Sequence, residues 1–193
     1  EDGKLAEKNS LKLEISEDEY ASEIVMHILN SHGCTMVVRS DKAFIYEVDG
    51  ATFKKVEEFA IPEGMEIVTK VNGVGAHVAV LKPDGILSSF AYTDAAEFMQ
   101  QVDDNVIDTE SKFSHILNVS DDMQVVFALE AETDHLLSLN IKDGSVTKVE
   151  DSAGENIELA NEPLMLSFDI DDNGQLDWFG QDKDGQLIAH LNG

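Results

Sequence analysis

The sequence lacks several of the residue patterns that mark common classes of protein. It contains one cysteine, Cys34, so no disulfide can form within the chain, and one arginine, Arg39, among 13 basic side chains that form no cluster. Because binding to phosphates requires clustered lysine and arginine, nucleic acids and anionic membrane surfaces are poor partners. The longest uninterrupted apolar runs span a few residues, which predicts that the chain does not insert into a membrane.

Acidic side chains dominate the composition that remains. Asp and Glu account for 39 of the 193 residues and the formal net charge is −26, yet 42% of the residues are apolar. This apolar fraction argues against wholesale disorder, and the length suits one domain with a sizeable core. We expect an extracellular or periplasmic protein, because an acidic balance fits a calcium-rich exterior. An acidic cytoplasmic protein is the alternative.

Short segments with strand-like patterning follow one another at roughly ten-residue intervals, which is typical of all-β proteins. The predicted strands are residues 10–15, 35–38, 43–48, 66–71, 77–81, 86–92, 124–129, 135–141, 145–150, 164–168, 176–180 and 186–191. Asp-Gly pairs separate several of these segments and tolerate the positive φ angles of a type I′ turn, so each pair is predicted to form a tight hairpin. The pairs begin at Asp49, Asp84, Asp143 and Asp184.

The N-terminal part of the chain also fits a helix. Ser16 and Glu19 have the spacing of a capping box, and Ile24 and Ile28 continue an apolar pattern that ends before Gly33. This helix competes with a strand over the same residues. Residues 1–9 are polar and are predicted to form a flexible terminus.

Two pairs of segments repeat along the chain. The tetrapeptide His-Ile-Leu-Asn that begins at His27 recurs at His115, and Val37 matches Val125 in the same register. A four-residue identity followed by ordered downstream matches favours an internal repeat. If these segments are equivalent units, residues 24–30 form a strand and the capping box opens only a short turn.

Residues 78–87 match residues 178–187 as a second repeat pair, and the two pairs interleave to give four units. Each unit has roughly 40 to 50 residues, the length of one propeller blade. We therefore predict a single domain over residues 10–193, a small β-propeller of four blades closed by the N-terminal strand. A β-sandwich with one N-terminal helix is the alternative. The units lie near residues 24–62, 63–110, 111–160 and 161–193, with residues 10–15 completing the last.

The segment that follows Phe168 has the pattern of a calcium-binding loop. Side-chain oxygens stand at loop positions 1, 3, 5 and 9, glycine stands at position 6, and the residue at position 7 can supply a backbone carbonyl. Hard cations such as Ca²⁺ bind about six to eight oxygens, and alternate residues of a tight loop point inward. Gly180 stands where an EF-hand needs its bidentate glutamate, which disfavours that motif. The predicted ligands are Asp169, Asp171, Asn173, Gln175 and Asp177.

The strand-flanked loop resembles the calcium loop of FG-GAP and VCBS-type β-propeller repeats. The pattern occupies residues 168–180, where Asp177-Trp-Phe-Gly180 follows the loop as the second strand often does in that family. The resemblance covers roughly residues 164–193, one unit of the four. In that family calcium sits in the loop and supports the geometry of the blade, and the domains recognise proteins or glycans. The resemblance therefore implies a structural calcium ion and a binding function.

Four other side chains have two interpretations each. His27 and His115 occupy equivalent repeat positions, so they either pack inner strands or face each other and bind a transition metal, and packing is favoured. Cys34 is interpreted as a buried structural thiol rather than a nucleophile. Trp178 is interpreted as blade core, with a carbohydrate-stacking platform as the alternative.

The predicted function is a non-enzymatic module that binds or assembles with another protein and holds a structural calcium ion. The alternative is a glycan-processing enzyme with carboxylates at the propeller mouth, which requires a deep cleft and a carboxylate pair with perturbed pKa values. A protein partner is favoured over a small molecule, and a glycan is a further class of ligand. A homodimer in which a second copy completes a larger ring is a third hypothesis.

Overall fold

The computed structural model describes residues 24–150, apart from 31–32, 40, 51, 73–74 and 121, together with three strand segments at 167–170, 176–181 and 187–190. The predicted flexible terminus at 1–9, the predicted strand at 10–15 and the capping box at Ser16 lie outside these residues. Within them the structure is mostly β, with one short helix, so the all-β prediction is confirmed.

Four antiparallel sheets follow one another along the chain, and in each sheet every strand pairs with the next strand in sequence. The first sheet contains β1 (Ile24–Ile28), β2 (Thr35–Arg39), β3 (Lys42–Asp49) and β4 (Thr52–Ala60). The second contains β5 (Glu66–Val71), β6 (Ala76–Leu81) and β7 (Leu87–Phe90), and helix α1 (Phe98–Asp104) follows it. The third contains β8 (Phe113–Val119), β9 (Val125–Glu130), β10 (Leu136–Asn140) and β11 (Val146–Lys148). The fourth contains β12 (Ser167–Ile170), β13 (Leu176–Gln181) and β14 (Leu187–His190).

The second sheet lies between the first and the third and contributes apolar side chains to both interfaces. Val78 and Val80 pack in a cluster with residues of the first sheet, whereas Ala79 and Leu81 pack in a separate cluster with residues of the third. Successive side chains of a strand point to opposite faces, so the continuous apolar run of β6 serves both clusters. All four side chains are at most 2% exposed. The three sheets therefore form a stack with two apolar layers.

Strand β1 replaces the helix that the capping-box pattern extends through Ile24 and Ile28. All five of its residues pair antiparallel with β2, from Ile24 opposite Arg39 to Ile28 opposite Thr35. The helix alternative is therefore wrong for this segment. Ile24 and Ile28 are β-branched and four residues apart, a pattern that fits a strand as well as a helix. The pairing of β1 with β2 therefore decides the conformation of this segment.

Helix α1 carries no N-terminal signal in its own sequence and was not among the predicted elements. Its N-cap residue, Glu97, makes no side-chain cap hydrogen bond. The backbone N–H of Phe98 instead donates to both carboxylate oxygens of Glu57 on β4, at 3.0 and 3.1 Å. Phe98 is fully buried and stacks on Phe59, with ring centroids 5.1 Å apart. The first sheet thus supplies the cap, which no local sequence pattern can reveal.

The Asp-Gly turns differ from the predicted type I′ geometry. Gly50, Gly85 and Gly144 have positive φ angles of 63°, 78° and 70°, but the aspartates that precede them do not. A type I′ turn needs positive φ at both central residues. At Gly85 the N–H donates to the Lys82 carbonyl, so Pro83 stands at the second position of the turn, where its fixed φ is favourable. The pairs at Asp49, Asp84 and Asp143 do connect adjacent strands, and the pair at Asp184 lies outside the described residues.

The second and fourth sheets share the register that their repeat predicts. Val78 pairs with Phe90 and Leu81 with Leu87 in the second sheet. At the matching positions of the fourth sheet, Trp178 pairs with His190 and Gln181 with Leu187.

The first and third sheets have the same strand order but a different residue correspondence from the one the sequence suggests. Leu29 donates its N–H to the Cys34 carbonyl at the end of the first hairpin, and Ser120 donates to the Val125 carbonyl at the same place in the other. Val125 therefore corresponds to Cys34 rather than to Val37. The pairing of β8 shifts register between Phe113 and His115 and again after Ile116. These shifts displace the His-Ile-Leu-Asn segment of β8 relative to the same tetrapeptide at His27.

Substitution of Gly144 tests the packing of the third sheet against the segment after α1. A Cβ atom on Gly144 would lie 2.1 Å from the Asp108 carbonyl oxygen, whereas one on Gly50 meets nothing within 4 Å. Both glycines have positive φ, so Gly50→Ala carries only the backbone strain, about 1 kcal/mol. Gly144→Ala adds a backbone clash, and we expect a loss of at least about 3 kcal/mol in the free energy of unfolding in urea. Equal losses for the two variants would show that the Asp108 contact is not formed.

Candidate functional site

The described residues include only the two ends of the predicted calcium loop. Asp169 on β12 and Asp177 on β13 pair directly across the hairpin. The ligands Asp171, Asn173 and Gln175 lie outside the described residues, so the calcium site stays a prediction. Elsewhere in the part of the chain that the structure describes, no group of three or more His, Cys, Asp or Glu side chains is arranged to hold a metal ion.

The two repeat histidines contact different residues of β5. His115 on β8 places Nδ1 2.6 Å from Oε1 of Glu66, and Oε2 of Glu66 accepts the Ile116 backbone N–H at 2.8 Å. His27 on β1 lies on the other side of β5, with Nδ1 3.5 Å from Oγ1 of Thr69. Burial lowers the pKa of His27. These contacts join the first strands of three successive sheets, as expected for side chains that pack inner strands.

An open cleft of about 560 Å³ lies between the first and second sheets. Asn30, Cys34, Glu47, Tyr92 and Asp94 are among its lining residues. Cys34 is 3% exposed, and burial, reinforced by the charge of Glu47, raises the pKa of its thiol to about 11. Because the thiolate is the reactive form, this thiol is unsuited to nucleophilic chemistry at neutral pH, in agreement with the structural role predicted for it.

Glu57 is a carboxylate whose pKa is raised by burial, but it does not meet the requirements of the enzyme alternative. Glu57 has a raised pKa because it is partly desolvated, and both of its oxygens accept the Phe98 N–H. It is not among the residues that line the cleft. Its role is therefore to hold helix α1 against the first sheet, and no observation on it favours glycan hydrolysis.

The first sheet has a second face, directed away from the second sheet, which we call the outer face. Pairing places Met26 opposite Val37 and Val37 opposite Phe44, so these three side chains form one row across the sheet. A second row contains Ile28 and Tyr46, on either side of Thr35. Side chains within each row lie on one face because strand partners point to the same side of a sheet.

Several apolar side chains of the outer face are open to solvent, although Val37, in the middle of the first row, is 1% exposed. Met26 is 67% exposed, Ile28 49% and Val48 41%, although each lies within a strand. The Nζ atom of Lys55 lies 5.5 Å from the centre of the Phe44 ring, and it forms an ion pair of 2.7 Å with Glu58. This charged pair lies beside the apolar rows, so the face combines an apolar centre with a polar margin, as protein interfaces do.

The corresponding faces of the other two stacked sheets are mostly covered. In the second sheet β6 and β7 are buried whereas β5 is half-buried and ends at the exposed Val71, and on the far face of the third sheet Phe127, Leu129 and Leu136 are at most 2% exposed. Among the described side chains, most of the exposed large apolar residues belong to the first sheet. Sequence patterning predicts strands in this region but not their exposure, because alternation marks an apolar face without showing what packs on it.

One compositional signal distinguishes the segment that forms the outer face. Residues 24–60 contain four basic and five acidic side chains, whereas the whole chain contains 13 and 39. The first sheet is therefore nearly neutral in a strongly acidic protein. A local charge count along the chain can find such segments, and residues 64–83, with Lys70 and Lys82 against Glu66, form a second one.

Comparison with known proteins provides a fold likeness but no family. No protein-family model matches the chain, and no curated protein sequence matches it. Solved structures with a similar fold include Kluyveromyces lactis Hsv2, with a TM-score of 0.50 and 10% identity over 95% of this chain and 51% of that chain. Matches with lower scores are a Lactobacillus plantarum protein (TM-score 0.44, 14% identity, 91% and 56% coverage) and a Bacteroides caccae protein of unknown function (0.40, 14%, 83% and 57%). The chain spans about half the length of these structures. At such identities the likeness concerns the fold alone.

No helix among the residues that the structure describes has the length and apolar character needed to cross a membrane.

The burial of Cys34 leads to a test by thiol labelling. At pH 8 a thiol with a pKa of about 11 is almost entirely protonated, and the side chain is 3% exposed. We expect a maleimide to label the folded protein at least about 100-fold more slowly than the protein unfolded in urea. Mass spectrometry after timed quenching measures both rates. Comparable rates would mean that Cys34 lines an accessible cleft as a reactive group.

Proposed function

We propose that this protein is a non-enzymatic module that binds another protein through the outer face of its first sheet. The observation that carries the proposal is the exposure of Met26, Ile28 and Val48 on one sheet face. Exposed large apolar side chains that share one sheet face support an interaction site when polar groups border them. Removal of apolar area from water contributes roughly 25 cal/mol per Å², so covering these side chains favours association.

The proposed architecture is a four-bladed β-propeller, with each sheet as one blade; closure of the ring would bring the fourth sheet next to the outer face, so the proposed binding surface is limited to the side chains that stay exposed, Met26, Ile28 and Val48. Four consecutive antiparallel sheets support this architecture, since a blade is a sheet in which each strand pairs with the next. The contacts of β5 with both β1 and β8 also support it, because the first strands of successive blades are neighbours around a propeller axis. In this architecture strand 10–15 is proposed to complete the last blade.

A charge substitution on the outer face tests whether that face is open for binding. Val48 and Val106 are 41% and 43% exposed, and Val106 lies on a bridge to β7, away from the outer face. We expect Val48→Glu and Val106→Glu each to change the free energy of unfolding by less than about 1 kcal/mol, because an exposed charge stays hydrated. A loss of several kcal/mol for Val48→Glu alone would show that the chain itself covers the face, and would overturn the proposal.

A structural calcium ion in the last unit is the second part of the proposed function. The pairing of Asp169 with Asp177 supports it, because a hairpin that places these residues opposite each other brings both ends of the loop together. The other ligands proposed are Asp171, Asn173 and Gln175. A divalent cation offsets the repulsion between the three carboxylates in a chain whose net charge is −26.

Thermal unfolding in chelator, in calcium and in magnesium at matched ionic strength tests the ion site. If calcium is present at about ten times its dissociation constant, binding stabilises the folded state by about 1.4 kcal/mol, which raises the melting temperature by roughly 3–6 °C. Magnesium should have a smaller effect because it requires stricter octahedral geometry. Asp171→Ala should remove the calcium-specific increase, and Asp104→Ala, a control at the end of α1, should keep it. Equal melting temperatures in all three solutions would contradict the site.

A further inference from the structure

We infer that the second sheet has an acid-sensitive contact on each of its faces, so that protonation of His27 and His77 weakens its docking on the neighbouring sheets. The stack is therefore expected to loosen in mildly acidic surroundings, whatever the outer face binds. His27 contacts the second sheet from β1, on the side of the first sheet. His77 belongs to β6 and alternates with Ala79 and Leu81, so it lies on the face directed towards the third sheet.

His27 is half-buried at the first of these interfaces and contacts a hydroxyl group. Its Nδ1 atom lies 3.5 Å from Oγ1 of Thr69 on β5. Across the first sheet, the row that contains His27 continues through the core residues Met36 and Ile45 to Glu57 on β4. Glu57 is the carboxylate of this row, but it is three strand spacings away, about 14 Å, and it caps helix α1.

His77 is half-buried at the second interface and has the same kind of partner. Its Nε2 atom lies 2.8 Å from Oγ of Ser89 on β7. Lys70 on β5 is directly opposite His77, so protonation places two cations side by side on one sheet face, which is unfavourable. Ser89 also borders a cleft of about 380 Å³, and His77 is not among the residues that line it. The charged residues of that cleft are Asp104, Asp108, Lys142 and Asp143.

His115 provides a contrast, because its partner is a carboxylate. Its Nδ1 atom lies 2.6 Å from Oε1 of Glu66, so protonation of His115 creates an ion pair. Glu66 and Lys70 lie on the face of β5 opposite to Thr69 and do not face His27. Among the described residues, no carboxylate oxygen lies within hydrogen-bond distance of His27 or His77.

The positions of His27 and His77 make their charged forms unfavourable. Burial lowers the pKa of both side chains, because removal of an imidazolium from water is not compensated by an anion. Histidine in an unfolded chain has a pKa near 6.5. The unfolded chain therefore binds more protons than the folded chain as the pH falls below about 7, and the stability that neutral His27 and His77 provide is lost over this range.

Other charges of the protein act in the opposite direction. The formal net charge is −26, so the uptake of protons relieves repulsion within the folded chain and stabilises it. Burial raises the pKa of Glu57, so protonation of this carboxylate also favours the folded state. A loss of stability on mild acidification therefore has the sign expected of the two histidines and not of the carboxylates.

Thermal unfolding at pH 7.5 and at pH 5.5, in chelator and at matched ionic strength, tests the inference. We expect the melting temperature of the unmodified chain to be lower at pH 5.5 by at least about 3 °C. His27→Gln and His77→Gln should each remove part of this decrease, because glutamine forms hydrogen bonds but does not titrate, and the double variant should abolish it. His115→Gln is the matched control and should keep the decrease, since the contact that it removes gains strength in acid.

Each alternative outcome contradicts the inference. A melting temperature of the unmodified chain that stays level or rises towards pH 5.5 overturns it. A decrease that persists in the double variant, or that disappears in His115→Gln, assigns the pH dependence to other groups and also overturns it. If a glutamine variant does not fold, proton exchange of the unmodified chain decides. Its unfolding in urea at about pH 6, in weakly buffered solution, should take up protons, and release of protons or no exchange would contradict the inference.

Discussion

The architecture depends on burial of both faces of the second sheet. In β6, alternate side chains enter different apolar clusters, so Val78 and Val80 attach the first sheet while Ala79 and Leu81 attach the third. A sheet with two apolar faces is stable only when both are covered. The positions of β1, β8 and helix α1 follow from this constraint, since each belongs to an element that covers one face or the other. The stack then leaves one further apolar face, on the opposite side of the first sheet, without a covering sheet among the described residues.

The fold class could be predicted from the sequence because its strand patterns are local. Short alternating segments separated by Asp-Gly pairs predict antiparallel sheets, and the repeat of residues 78–87 at 178–187 corresponds to hairpins of equal register. The patterns fail where the determining contact is distant. Helix α1 depends on Glu57, which is 41 residues away from Phe98, and no cap marks its start. The correspondence between Val37 and Val125 fails because irregularities in β8 insert residues that a linear alignment cannot see.

The two candidate sites differ in how many of their residues can be predicted from the sequence. A metal loop is a compact motif, so its ligands can be named from spacing alone, and Asp169 and Asp177 occupy paired positions. An interaction surface has no such motif, because it consists of side chains from several strands whose exposure depends on the rest of the fold. Met26, Phe44 and Val48 are ordinary strand residues in the sequence. Only the pairing of β1, β2 and β3 shows that they share a face, and only the burial of the other sheets shows that this face is exceptional.

The cap that Glu57 provides to Phe98 has a consequence for the order of folding. Helix α1 has seven residues, which is too short for an isolated helix to persist in water. Its first turn becomes satisfied only after β4 has joined the first sheet and that sheet has docked on the second. We therefore expect the helix to form with or after this long-range contact, which is the reverse of the usual tendency for local structure to form first. The only helix among the described residues is thus a late reporter of sheet assembly, and its ellipticity should develop together with the burial of Phe98.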